Sequence, residues 1–259
     1  AANGTAQLIG SITLNGTASS LQTVSGFMCG NVYLNAGATS SAMVILHQCQ
    51  IQGDDTDAAV MISDNGWQLM IEDCRVDGVS RKAVLGLTNS IRASGSSFET
   101  SGTTAVECSG SVTAQQCGFT GNVTIGGASA SKLIDSNFQM SGSAPFVFYL
   151  GGTAQLRLMG SFSVSGVKSS TGTLWTGTGS FSAHAGTFLG SYNSGHMPAV
   201  DSGSEGAIAY ALDTHSLAVV ASGVWAPVGS GGSGIPDPGS ETPGAMLYFR
   251  DPGGGGTWE

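Results

Sequence analysis

The stretch Cys49-Gln50-Ile51-Gln52-Gly53 holds a phrase that returns along the chain: a small or thiol residue, any residue, a hydrophobic residue and, soon after, a glycine. Its copies begin at residues 49, 74, 96, 117, 136 and 160, so they are 25, 22, 21, 19 and 24 residues apart. They read Cys74-Arg75-Val76, Ser96-Ser97-Phe98, Cys117-Gly118-Phe119, Ser136-Asn137-Phe138 and Gly160-Ser161-Phe162. A period of roughly 20–25 residues with strand-like text inside it is typical of a β-solenoid.

Each repeat contains up to three strand-like runs separated by Gly, Asn, Asp and Ser. One run precedes the phrase, as in residues 67–71, and another follows it, as in residues 83–87; several alternate apolar with polar residues. No helical stripe is present. The pattern predicts an all-β chain folded as a right-handed parallel β-helix with three strands per circuit, here called a rung. The expected interior residues are Ile51, Leu69, Ile71, Val76, Phe98, Phe119, Phe138, Leu156, Leu158 and Phe162.

The glycines and the cysteines of the phrase each predict a structural role. The glycines that close it should mark corners with positive φ, which glycine adopts without steric cost; they are Gly53, Gly78, Gly102, Gly121, Gly142 and Gly166. Cys49, Cys74 and Cys117 share one phase of the repeat and should stack as small packing residues. The five cysteines form no CxxC or Cys/His pattern, so the sequence indicates no zinc site.

The recurring phrase is lost after residue 166, and a different sequence pattern begins near residue 190. We expect a leading strand and cap over residues 1–25, the parallel β-helix over 26–190 and C-terminal β-modules over 191–259. Residues 206–228 predict a three-stranded meander, with strands too few to be stable alone. Residues 229–243 are rich in Gly, Ser and Pro and predict a linker, and residues 244–258 look like a second, shorter meander.

The amino-acid composition limits the classes of partner that we expect this chain to bind. The chain has 259 residues, of which 41 are glycine, and carries a net charge of −9. Only 10% of residues are charged, against roughly 25% in typical domains, while 41% are hydrophobic. We expect no nucleic-acid partner, because that requires a basic patch, and no membrane insertion, because no apolar run reaches the length of a membrane span. No motif indicates a cofactor.

The arrangement Gly-x-Ile-x-Tyr, Asp-Thr-x-Ser-Leu-x-Val and Gly-x-Trp at 206–225 resembles the small β-modules of bacteriophage tail-fibre, tailspike and head-decoration proteins. The rungs at 27–166 resemble the pectate-lyase-like β-helix of tailspikes and of many polysaccharide-active enzymes. The resemblance implies a homotrimer on the exterior of a virion, at the tail or the capsid surface. Its implied partners are further copies of itself, other virion proteins and a host-surface polysaccharide.

Acidic residues after Gly53 are the candidates for chemistry. Glycoside hydrolysis uses two carboxylates about 5–9.5 Å apart, and stacking of rungs could bring Asp55 and Asp77 onto one face. Asp54, Asp55 and Asp57 could instead bind Ca²⁺ weakly, or all could be solvated turn residues. The paired Asp, Gly-His-Gly and Arg-x-Lys pattern of polygalacturonase-like enzymes is not matched, and no nucleophile elbow is present.

Aromatic side chains are the other route to glycan binding, because sugar faces stack on flat rings. Trp175 and Tyr192 lie in loop-like text near the module junction, and Trp67 is a further candidate; Tyr149 and Trp225 belong to the same wider set. The leading hypothesis is a non-enzymatic tailspike or tail-fibre component that recognises host glycan. A capsid decoration or head-fibre protein and a polysaccharide depolymerase are the alternatives.

Overall fold

The computed structural model describes residues 6–7, 10–15, 21–35, 42–63, 66–86, 90–127, 130–139, 146–160, 163–165, 173–183, 185–192, 194–197, 200 and 202–228. These residues form β-strands and two single-turn 3-10 helices, Ser194–His196 and Ser202–Ser204, and they contain no α-helix. In this part of the chain neither helical turn has the length or the apolar character to cross a membrane.

The strands follow one another along the chain with short connections. They are β1 (Ala6–Gln7), β2 (Ile12–Asn15), β3 (Leu21–Ser25), β4 (Phe27–Cys29), β5 (Val32–Asn35), β6 (Ala42–His47), β7 (Gln50–Gln52), β8 (Val60–Ile62), β9 (Trp67–Glu72), β10 (Arg75–Asp77), β11 (Val84–Gly86), β12 (Ser90–Ser94), β13 (Ser97–Cys108), β14 (Val112–Gln115), β15 (Gly118–Ile125), β16 (Ala130–Ile134), β17 (Asn137–Gln139), β18 (Phe146–Leu150), β19 (Gln155–Met159), β20 (Ser163–Ser165), β21 (Thr173–Gly177), β22 (Ser180–Ala183), β23 (Phe188–Tyr192), β24 (Ile208–Ala211), β25 (Ser216–Ala221) and β26 (Val224–Pro227).

Strands β1 to β22 stack in parallel as a solenoid of about seven rungs, which confirms the predicted fold class. Ladder 1 joins β1, β4, β7, β10, β13, β15, β17 and β20. Ladder 2 joins β2, β5, β8, β11, the later parts of β13 and β15, β18 and β21. Ladder 3 joins β3, β6, β9, β12, β14, β16, β19 and β22. Three strands per rung is the predicted number, and β1 to β3 take the first place in each ladder.

The core is a set of in-register apolar columns. Ile51, Val76, Phe98, Phe119 and Phe138 follow one another in ladder 1. The three phenylalanine rings stack with centroids 5.2 and 5.0 Å apart. Nine of the ten predicted interior residues are buried, and the tenth, residue 162, lies outside the described residues. Burial of this apolar surface is the main stabilising contribution.

The recurring thiol or serine position forms hydrogen bonds as well as packing contacts. We call Cys49, Cys74, Ser96, Cys117 and Ser136 the corner ladder, because they sit where the chain passes from ladder 3 to ladder 1. The side chain on one rung accepts the backbone N–H of the corner residue on the rung before: Cys74 Sγ lies 3.3 Å from the Cys49 nitrogen, and Ser96 Oγ lies 3.0 Å from the Cys74 nitrogen. The Ser96 hydroxyl also donates to the Ser94 carbonyl at 2.8 Å.

The predicted glycine corners are wrong for Gly53, Gly78 and Gly102, which do not have positive φ; Gly121, at 119°, does. Gly142 and Gly166 lie outside the described residues. The left-handed corner is instead the residue just before each corner-ladder side chain, with φ between 46° and 57° at Gln48, Asp73, Gly95, Gln116 and Asp135. Gly78 and Gly102 are needed for space: a Cβ at position 102, for example, would lie 2.6 Å from the Ser80 carbonyl oxygen.

A second sheet closes the C-terminal end. β23 pairs in parallel with β24, and β24, β25 and β26 form an antiparallel meander, as the text of residues 206–228 predicts. The β25–β26 connection is the two-residue turn Ser222-Gly223, both with positive φ, which suits a tight hairpin. Leu189, Tyr192 and Val220 belong to the same buried cluster as the solenoid interior, so the meander gains its stability by packing on that core. The predicted linker and second meander lie outside the described residues.

Candidate functional site

An outward row of side chains runs along ladder 2. Register places Tyr33, Met61, Leu85, Glu107, Thr124 and Tyr149 side by side on successive rungs. All are at least partly exposed, and Tyr149, at 42%, is the most exposed aromatic in the row. Five strand spacings of roughly 4.8 Å give this row a length of about 24 Å. We call it the ladder-2 row.

A cleft of about 370 Å³ opens beside the middle of the row. Two loops that join ladder 1 to ladder 2 line it together with residues of β11 and β13. Its lining is mostly polar and hydroxyl-rich: Thr56, Asp57, Ala58, Ser80, Arg81, Lys82, Leu85, Thr103, Thr104 and Glu107. Leu85 and Glu107 belong to both the cleft and the ladder-2 row, so the two make one continuous surface.

The charges of the cleft largely engage one another. Lys82 Nζ lies 3.3 Å from Glu107 Oε2. Arg81 Nε donates to the backbone carbonyl of Asp55 at 2.8 Å, which orients the guanidinium along the loop. Burial raises the pKa of Tyr33, and the nearby negative charge of Asp57 raises it further, so this phenol keeps its proton at neutral pH. The cleft therefore offers hydrogen-bonding groups of both kinds without a large net charge.

Asp54 and Asp55 have separate structural partners. Asp54 Oδ1 accepts the Thr56 backbone N–H at 3.1 Å and the Thr56 hydroxyl at 2.6 Å, an Asx-type turn. Asp55 Oδ1 reaches the next rung, where it accepts the Ser80 hydroxyl at 2.5 Å and the Ser80 N–H at 2.8 Å. These hydrogen bonds hold the pKa of each carboxyl below its usual range.

Asp55 and Asp77, the candidate catalytic pair, both serve the loop at residues 78–81. Asp77 Oδ1 accepts the Val79 backbone N–H at 2.8 Å, in its own rung. Asp55 accepts from Ser80 in the same loop, so the stacking of rungs does bring the two carboxylates to one region. A general acid needs a raised pKa, and the pKa of Asp55 is lowered. The geometry thus assigns both residues to loop stabilisation.

A metal site at Asp54, Asp55 and Asp57 is also not formed. Within the described part of the chain, no three His, Cys, Asp or Glu side chains converge as metal ligands would. Asp54 and Asp55 point toward different donors, Thr56 and Ser80. Asp54 therefore serves its own turn, and Asp55 serves the loop of the next rung.

The structure corrects two of the three aromatic candidates. Trp67 is 1% exposed, and its indole N–H donates to the Asn35 carbonyl at 2.8 Å. Tyr192 is 3% exposed, and its hydroxyl donates to the Leu189 carbonyl at 2.6 Å. Neither ring can stack on a sugar. Trp175 is half-buried, and one face is covered by Phe181 with ring centroids 6.1 Å apart.

The cleft residues Thr103, Thr104 and Glu107 were absent from the sequence-based candidates. They lie within β13, where ladders 1 and 2 merge into one long strand with a register shift after Glu99. That irregularity moves the two threonines opposite the loops of the preceding rungs. Period counting from the phrase alone cannot place them, because the extra residues fall between two in-register segments. Tyr149 was within the wider set of aromatic candidates, but its run, residues 146–150, is apolar or aromatic throughout and does not show which ring faces outward.

Comparison with known proteins does not assign this chain to a family. The chain matches no protein-family model, and no curated protein or solved structure is significantly similar to it.

Proposed function

We propose that this chain is a structural protein of the exterior of a bacteriophage virion. It acts as a homotrimeric tailspike or tail-fibre component that binds host-surface polysaccharide without cleaving it. Its partners are further copies of itself, neighbouring virion proteins and the glycan. The proposal is supported by the β-solenoid closed by a meander, and by a long outward row that carries an exposed tyrosine and lies beside a polar cleft.

The proposal that the chain does not cleave the glycan rests on the hydrogen bonds and the ion pair that its carboxylates form. Glycoside hydrolysis needs one carboxyl that holds a proton and a second that is free to attack or to activate water. Here Asp55 is held ionised by Ser80, Asp77 accepts from Val79, and Glu107 pairs with Lys82. Binding, in contrast, needs only the donors and acceptors that the cleft presents.

The cleft and the ladder-2 row suit a chain of polyhydroxylated rings. Thr103, Thr104 and Ser80 present hydroxyl groups that can donate and accept, and Arg81 presents several N–H donors. Tyr149 offers a flat ring about two strand spacings from Glu107 along the row. A surface about 24 Å long can contact several sugar units, so many weak contacts add up to useful affinity.

The test is calorimetric titration of the purified protein with host-surface polysaccharide. Tyr149→Ala and Arg81→Ala should each weaken binding about 5-fold, which corresponds to roughly 1 kcal/mol per contact. Gln155→Ala, on the exposed side of ladder 3, is the matched control and should bind as the wild type does. Release of new reducing or unsaturated ends from the polysaccharide would contradict the non-enzymatic proposal and support a depolymerase.

A copy number measured on purified virions tests the location. A few trimers per particle would agree with a tail component. Hundreds of copies on the head would instead support the capsid decoration alternative.

A further inference from the structure

One face of the C-terminal sheet is apolar and points to solvent. In β25 the side chains alternate, with Ala218 and Val220 buried and their neighbours turned outward. Register places the outward positions of β24 and β26 beside them: Ile208 faces Val219, which faces Ala226, and Tyr210 faces Leu217. The resulting outer face consists mainly of Ile208, Tyr210, Leu217, Val219, Val224 and Val228.

This outer face is exposed although the chain has buried apolar surface elsewhere. Leu217 is 46%, Val224 60% and Val228 41% exposed. None of the six residues is charged, in a chain with a net charge of −9. Contiguous exposed apolar surface of this kind marks an interaction site, since scattered single hydrophobic residues are the ordinary case.

The polar groups around the face form a rim. Glu205 accepts the N–H groups of Ser222 and Gly223 at the β25–β26 turn, at 3.0 and 3.3 Å. Asp213 accepts the backbone N–H and the hydroxyl of Ser194 at 2.8 and 2.6 Å. An apolar centre with a polar rim is the arrangement of a protein–protein interface.

We infer that the outer face packs against the outer faces of two further copies of this chain around a threefold axis. Copies that each carry a net charge of −9 repel least where none presents a charge, and the outer face is such a place. A charged ligand or a basic partner would find no counter-charge there. An apolar face also meets its copies without the cost of desolvating an ion.

The size of the face agrees with the centre of an interface rather than with the whole of it. Three strands about 4.8 Å apart and about four residues long cover roughly 200 Å². A standard interface buries about 800 Å² on each partner. Phe188 and Leu212, each 37% exposed, lie on the neighbouring elements and extend the contact area.

The inference rests on the proposed homotrimer and names the surface that forms it. The experiment is light scattering of the full-length chain across a range of protein concentrations. The wild type should show a mass three times that of the 25.9 kDa chain. Leu217→Glu and Val224→Glu should each lower the measured mass to that of one chain at concentrations where the wild type is fully assembled.

The matched control is Leu21→Glu. It makes the same substitution at a 66% exposed leucine on β3, at the opposite end of the solenoid. It should leave the mass unchanged. Thermal melts followed by circular dichroism of all variants show whether each is folded, and a folded monomer is the result that supports the inference.

Each other outcome decides between the two ideas. A wild-type monomer would overturn both the outer-face contact and the trimer. A trimer that survives both outer-face substitutions would overturn the surface alone. A wild-type dimer that these substitutions dissociate would support the surface and contradict the trimer. If the wild type is monomeric and removal of residues 229–259 makes it associate, the outer face is covered by the chain's own C-terminal segment and the inference fails.

Discussion

Replacement of Ser96 by alanine is the sharpest test of how the repeat stabilises the fold. Ser96 is 3% exposed, and its hydroxyl accepts the Cys74 N–H at 3.0 Å while donating to the Ser94 carbonyl. Alanine would leave the buried Cys74 N–H without its acceptor. An unsatisfied buried donor costs about 1–3 kcal/mol, so we expect Ser96→Ala to lower the free energy of unfolding by that amount.

Ser96→Cys is the informative partner of this substitution. Cysteine occupies the equivalent place at residues 49, 74 and 117, and Cys74 Sγ accepts the Cys49 N–H at 3.3 Å. A thiol at position 96 therefore restores the acceptor, and we expect a loss below about 1 kcal/mol. Ser97→Ala, at the adjacent half-exposed position, is the control and should stay within about 0.5 kcal/mol of the wild type.

Guanidinium unfolding followed by tryptophan fluorescence, to which buried Trp67 contributes, measures all three variants. A change in midpoint at constant slope reports stability alone. If Ser96→Ala were as stable as the wild type while Ser96→Cys lost stability, small volume rather than hydrogen bonding would be the property that the corner ladder requires. The corner ladder would then stabilise the fold by packing and not by hydrogen bonding.

Three further outcomes are expected. Because hydrogen bonds from Ser80 depress the pKa of Asp55, its carboxylate stabilises the fold above the unfolded pKa, and this contribution is lost as pH falls through the folded value; Asp55→Asn should flatten the decline of Tm below about pH 4. A Cβ at Gly78 would overlap the carbonyl four residues on, so Gly78→Ala should cost more than about 2 kcal/mol in urea unfolding, whereas Gly118→Ala, with its nearest neighbour atom 4.0 Å away, should change stability by less than about 1 kcal/mol. All five thiols are buried, and burial raises the pKa of Cys29 to about 11. The hydrogen bond with Cys74 lowers the pKa of Cys49, yet that thiol is only 3% exposed, so a thiol reagent should modify none of the five in the native protein within minutes and all five after denaturation. Rapid native labelling would contradict the buried ladder.

The interior of the solenoid was predictable because it repeats. Ile51, Val76 and Phe98 are in register in ladder 1, as the spacing of the phrase requires. A hydrophobic residue that recurs with each rung must face the same column, so one periodicity sets strand order, parallel pairing and core together. The meander at 206–228 was predictable for a similar local reason, since its turn residues separate alternating runs.

Two kinds of prediction were wrong: positive φ at three of the glycines, and exposure of two of the aromatic rings. Neither property follows from the periodicity of the sequence. Gly78 and Gly102 recur because a neighbouring backbone leaves no room for a Cβ, a fact of the distance between rungs rather than of their own φ. Trp67 begins the predicted strand-like run at 67–71, yet its ring lies on the inward side of that strand and its indole N–H donates to the Asn35 carbonyl. How closely two backbones approach, and which way a side chain at a strand end points, both depend on the neighbouring rung. The sequence of a single repeat does not hold that information.

The division between inside and outside explains why the fold is easier to infer than the function. Interior positions must satisfy the rung before and the rung after, so their residue types are restricted to a few and the restriction repeats. Outward positions meet only solvent or a ligand, so Tyr33, Leu85 and Glu107 share one row without sharing a chemical type. A function carried by that row has no period to detect. Binding and assembly surfaces in this chain must therefore be sought where the repeat is broken, at the merged strand β13 with its cleft and at the apolar outer face of the C-terminal sheet.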